Sequence, residues 1–127
     1  MKSISKTLFI IMLLFIFFSC DSKYSSKNFL GNWIEVMPPD LKYIQGFTLD
    51  KSGVASSIGM ATLVYTKWEI KSDSMILWGK SIGNGQTIDF SDTLHILKIT
   101  NDSLILETNY NYINRYYKVK DLDSIIK

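Results

Sequence analysis

A single histidine, two nearby aspartates and a glycine-rich turn are the features of this chain whose residue types and spacing could do chemistry. His95 stands between Leu94 and Ile96, on the outward phase of an alternating run. A general base needs a positioned nucleophile and an orienting carboxylate, and the neighbours of His95 along the chain supply neither. An exposed structural histidine is the simpler reading. Asp89 and Asp92 lie three residues apart in an extended segment, so they point to opposite faces and do not form an acid and base pair. Ser81-Ile82-Gly83-Asn84-Gly85 has the glycines of a phosphate cradle but no helix after it to stabilise an anion. A hairpin turn that uses glycine's positive φ fits it better. No His or Cys cluster has the spacing of a metal site. The chain reads as a non-enzyme without a cofactor or metal.

Binding is the stronger lead. Seven Tyr, three Trp and three Phe follow residue 19, in 108 residues. Aromatic side chains line concave sites because they join apolar area to a polar tip, but a small core is filled with the same groups. Alternation assigns Phe47 and Leu49 with Gln45, then Val64, Trp68 and Ile70, then Ile88, Phe90, Leu94 and Ile96, then Leu104 and Leu106 to the interior. If the interior holds a pocket, Phe47, Trp68 and Phe90 are candidates for its walls. Its polar fixtures are then Gln45, Ser56, Thr62, Thr66 and Lys80, which break the apolar phase. Each could equally be a buried polar group satisfied by a neighbouring strand.

The elements that would position these side chains are strands. From Phe29 onward the period is two, and it predicts strands near 31–37, 43–50, 53–59, 62–71, 74–81, 86–98, 103–109 and 111–119. Turn-forming stretches such as Asp50-Lys51-Ser52-Gly53 and Asn101-Asp102-Ser103 separate them. Pro38 and Pro39 end the first strand, since proline cannot donate to a ladder. Leu122, Ile125 and Ile126 are spaced for a short C-terminal helical turn. Eight hairpin-linked antiparallel strands around one apolar interior favour an all-β, up-and-down barrel over a sandwich, because closure removes exposed edges. Such a barrel is just wide enough to pack itself or to hold one small ligand. A cavity of roughly 300 Å³ or more would mark a carrier.

The N-terminus is a processing signal rather than part of the fold. Lys2 and Lys6 precede an apolar run over 8–18, which is too short for a span of roughly 20 residues and right for a signal core. Phe17-Phe18-Ser19-Cys20 resembles the lipobox of bacterial lipoproteins, which implies lipidation of Cys20. An ordinary secretory signal with an incidental cysteine is the alternative. Cys20 is the only cysteine, and a lone thiol in an oxidising envelope has no internal disulfide partner. Removing residues 1–19 takes away Lys2 and Lys6 and leaves 12 basic against 12 acidic groups, so no basic footprint for nucleic acid remains. Residues 20–28 then form the lipidated cysteine and a polar tether, and 29–127 one domain.

Gly31-Asn32-Trp33 resembles the G-x-W motif of lipocalins, on the first strand. The resemblance implies that Trp33 closes the base of the barrel and that Arg115, near the last strand, lies against its indole. QGFTLDKSGVASSIGMATLVYTKWEI, ILWGKSIGNGQTIDFSDTLHIL and LILE are similar to the lipocalin-like domain of small envelope lipoproteins whose function is uncharacterised. Asp73-Ser74-Met75, Asp92-Thr93-Leu94, Asp102-Ser103-Leu104 and Asp123-Ser124-Ile125 resemble a bacterial envelope O-glycosylation pattern, which makes Ser74, Thr93, Ser103 and Ser124 candidates. Turn chemistry followed by an apolar residue explains the hairpin cases without sugars. The expectation is an envelope lipoprotein, periplasm-facing or at the cell surface, whose barrel binds a small, largely apolar ligand. The alternative is a filled barrel whose outer face docks another envelope protein.

Overall fold

The computed structural model describes residues 23–125. The expected signal segment, Cys20 and the start of the expected tether lie outside them, as does Ile126. One turn of 3-10 helix at Ser26–Phe29 leads into eight strands: β1 Gly31–Glu35, β2 Gly46–Leu49, β3 Ala55–Ile58, β4 Leu63–Lys71, β5 Ser74–Gly83, β6 Gln86–Ile99, β7 Ser103–Glu107 and β8 Ile113–Val119. A second 3-10 turn at Leu122–Ser124 supplies the expected helical tail, with the Asp121 carboxylate accepting from the Asp123 amide.

The sheet runs β3-β2-β1-β8-β7-β6-β5-β4, and every paired strand is antiparallel to its neighbour. That is an up-and-down barrel in which the first and last strands pair, Trp33 opposite Lys118 and Ile34 opposite Tyr117. Between β3 and β4 the wall closes without a full ladder. The Ser57 hydroxyl donates to the Leu63 carbonyl at 2.7 Å and accepts from the Tyr65 amide at 2.8 Å, standing in for backbone pairing. Lower down, Val54 bridges Lys67 and the Trp68 amide donates to the Gly53 carbonyl at 3.0 Å. Backbone polar groups at the seam thereby avoid the cost of burial without a partner.

Turn chemistry fixes the hairpins. The Asp50 carboxylate accepts from the Ser52 hydroxyl and from the amides of Ser52 and Val54, which holds it ionised below the usual aspartate range. Asn84 and Gly85 both have positive φ, 51° and 71°, the conformation of a two-residue hairpin turn that matches strand twist. The glycine-rich stretch is therefore the hairpin turn the sequence predicts.

Two irregularities change which side chains face inward. A register shift between Tyr65 and Lys67 in β4 puts Tyr65 opposite the buried Gly79 and Val64 opposite the exposed Lys80. Val64 therefore faces out, against the alternation reading, because the bulge inserts a residue between it and Trp68. Ile88 keeps the inner phase, but β5 and β6 extend past the shorter strands, and it is 59 % exposed. The core occupies the other end of the barrel: Phe29, Trp33, Leu49, Met75, Leu77, Ile96, Leu104 and Leu106 are almost fully buried. Outside the barrel, Ile34 and Ile58 are also buried, on the face opposite that core.

Candidate functional site

The two ends of the barrel are built differently, and the closed end is the simpler. Trp33 is fully buried, and its indole N–H donates to the Phe29 carbonyl at 2.9 Å. The cation over its ring is Lys118, with Nζ 4.9 Å from the centroid, and not Arg115. Alternation explains the correction: Tyr116 is buried inside, so Lys118 shares its face and Arg115 points outward, exposed and opposite Ile105. Gly31 has φ +129°, and a β-carbon there would sit 3.4 Å from the Lys118 stem. The glycine of the G-x-W trio thus supplies a left-handed backbone and the space over which the lysine reaches the indole.

At the open end a cavity of about 160 Å³ is lined by Glu35, Gln45, Phe47, Tyr65, Asn114 and Tyr116, with Gly46, Met60 and Leu63 at its edges. Phe47 is its floor, with ring centroids 4.9 Å from Tyr116 and 6.0 Å from Tyr65. Phe90 continues the aromatic row 6.0 Å beyond Tyr65. Its ring lies across Gly79, where a β-carbon would come within 2.8 Å of it and 2.5 Å of the Val64 carbonyl. The Gln45 amide donates to the Glu35 carboxylate. Burial pushes the Tyr65 phenol up to about 12, helped by the carboxylates of Asp92 and Glu35. Tyr116 is raised too, first by burial and then by Glu35 and Tyr65. Asp92 sits on the inner phase of β6 opposite Leu77, where partial loss of water raises its carboxyl. It also borders a gap of about 240 Å³ between β6 and the turn through Thr108 and Tyr112.

A family model described as lipocalin-like matches residues 25–119. The chain belongs to the lipocalin-like family. It is similar to a lipocalin-like protein from Bacteroides thetaiotaomicron solved by crystallography, at 47 % identity and a TM-score of 0.64, over 72 % of this chain and 96 % of that one. No curated protein matches the chain.

In this lipocalin-like barrel only part of the sequence-predicted ligand set meets at the cavity. Gln45 and Phe47 line it, and Phe90 stands in the same aromatic row. Trp68 faces inward but belongs to the packed end, its indole N–H donating to the Asp50 carbonyl at 2.8 Å. Ser56 points outward opposite Thr48, and it is Ser57 that shares the face of Phe47. Thr62 is exposed in the β3 to β4 connection. Thr66 is exposed at the bulge, with its hydroxyl donating to the Trp78 carbonyl. Lys80 pairs with Asp89 at 3.2 Å on the outer face, a cross-strand pair open to water. Alternation missed Glu35, Tyr65, Asn114 and Tyr116. The first is disguised because Trp33 and Ile34 are both buried, and the second because the bulge shifts its phase.

His95 is exposed and contacts the Asp73 carboxylate at 3.5 Å. The Ser74 hydroxyl donates to the other oxygen of that carboxylate at 3.3 Å, so its proton is directed at Asp73 and not at the imidazole. This arrangement activates no nucleophile. Of the glycosylation candidates, Ser74 and Ser103 are half-buried at strand starts, while Thr93 on β6 and Ser124 in the last turn are exposed.

Proposed function

We propose that this protein is a lipid-anchored component of the bacterial cell envelope whose barrel binds one small, largely apolar molecule at its open end. The observation that carries the reading is the aromatic cavity of about 160 Å³ set above a solid core. It falls short of the roughly 300 Å³ expected of a carrier of ordinary ligands, so any occupant is smaller than a drug-sized molecule. A dry cavity of about 150 Å³ holds benzene, which sets the scale. The activity is binding and not catalysis.

The anchor would sit at the opposite end. Tyr24 packs edge-on against Phe29 at 6.1 Å, beside Trp33. Lipid on Cys20, four residues earlier, would be at most roughly 15 Å of chain from that point, with the mouth turned away from the membrane. Mass spectrometry of the mature N-terminus tests the anchor, and an unmodified Cys20 would refute it. Intact mass from the native host reads any sugar on Thr93 or Ser124 in the same measurement.

Titration with single-ring compounds, followed by tyrosine fluorescence, tests the binding. Saturable quenching that disappears when Phe47 is replaced by Ala in a still folded protein is the expected result. A second reading, an interaction module for another envelope protein, draws on the outer face near the rim. There Val36, Leu41, Tyr43 and Tyr117 border a groove of about 360 Å³ while remaining 41 to 54 % exposed. Exposed apolar groups of this kind are typical of protein contacts.

A further inference from the structure

The charge inside the open end narrows the ligand. Glu35 and Asp92 project inward from β1 and β6, and neither has a cation within ion-pairing distance among the described residues. The other inward groups at this level are neutral: the phenols of Tyr65 and Tyr116, the amides of Gln45 and Asn114, and the rings of Phe47 and Phe90. Of the lysines on the strands, Lys71 and Lys98 are exposed, and the other three are engaged elsewhere. Lys80 is paired with Asp89 outside, Lys67 lies 4.6 Å over the Trp78 ring, and Lys118 is at the closed end over Trp33. The carboxylates already act on the cavity, since both of them disfavour ionisation of Tyr65.

A ligand bearing a carboxylate would therefore meet the Glu35 carboxylate in the cavity wall, with Asp92 on the inner phase of β6 adding a second like charge and no lysine or arginine paired to either. A ligand bearing a cation would meet the reverse. It would be drawn to both carboxylates and to the faces of Phe47, Tyr65 and Tyr116, because aromatic rings present negative potential to a cation. We infer that the mouth of this barrel takes a small organic ammonium ion, one ring or a short alkyl chain on a charged nitrogen, and not a fatty acid or other carboxylate. The inference rests on the proposed reading of the mouth as a ligand site, and it assigns Glu35 and Asp92 as the residues that set ligand charge.

Three compounds of closely similar size separate the two ideas: 2-phenylethylammonium, 2-phenylethanol and phenylacetate, each titrated into the purified protein by calorimetry at low salt. The amine should bind about tenfold more tightly than the alcohol, and the acid should give no saturable heat; tenfold corresponds to about 1.4 kcal/mol. Glu35→Gln, which keeps an acceptor for the Gln45 amide, and Asp92→Asn should each cut the affinity ratio of amine to alcohol several-fold. If Glu35→Gln does not fold, Asp92→Asn, at an exposed position of β6, carries the same test. Alcohol or acid binding as tightly as the amine would overturn the charge assignment while leaving the mouth a ligand site. No binding by any of the three would overturn both.

Discussion

The closed and open ends of this barrel are made by the same eight strands, yet one is a core and the other a container. At the closed end the inward side chains are apolar except for Lys118, whose ammonium lies over Trp33, and the indole N–H groups of Trp33 and Trp68 each reach a backbone carbonyl. At the open end the inward positions carry carboxylates, amides and phenols around a ring of aromatics. Strand length underlies the contrast. β1, β2, β3 and β7 have four or five residues, whereas β5 and β6 have 10 and 14 and rise beyond them. A domain this small cannot enclose a large cavity and still bury enough apolar area to fold, so it fills one half and opens the other.

Truncation at the two ends should give the largest test of that contrast. Trp33→Ala should cost about 3–5 kcal/mol in urea denaturation, the range for large buried aromatics. Phe90→Ala, at the half-buried rim, should cost less than half as much. Equal losses would mean that the open end is as much a core as the closed one. Next in size is the seam: Ser57→Ala leaves the Leu63 carbonyl and the Tyr65 amide without their partner and should cost about 1–3 kcal/mol. Ser56→Ala, one residue away on the outer face, should lie within about 0.5 kcal/mol of the parent.

At the closed end, Lys118→Met keeps the aliphatic stem over the indole and removes only the charge. A loss of about 0.5–2 kcal/mol is expected if the cation contact matters, against about 0.5 kcal/mol or less for Arg115→Ala. The smallest effect is silent at neutral pH. Tyr65 and Tyr116 both ionise later in the folded chain than in the unfolded one. Their contribution is therefore complete below about pH 10 and is lost as the pH rises from there through about 12 and beyond. Denaturation midpoints should fall over that range, and less steeply in Tyr65→Phe. A flat profile would place both phenols in water.

Much of the architecture was legible because strand period and turn chemistry are local. Asp50 to Gly53, Asn84-Gly85 and the proline pair mark their boundaries with residues that permit only a few backbone conformations. The site was less legible for reasons specific to its residues. A bulge is invisible to alternation, so Val64 and Tyr65 exchanged faces. Glu35 follows two buried residues because Ile34 is covered from outside, and no count of period two foresees that. Arg115 was carried over from the family resemblance, whereas counting along β8 from the buried Tyr116 leads to Lys118.

The hydroxyl of Ser57 has one more consequence. A cylinder joined around most of its circumference by continuous backbone pairing is joined at β3 and β4 by a few isolated bonds, so thermal breathing should start there and leave the long β5 and β6 hairpin intact. Amide protons of Tyr65 and Trp68 should then trade with deuterium sooner than those in the middle of β5, with no ligand, partner or lipid needed to reveal the weak stave.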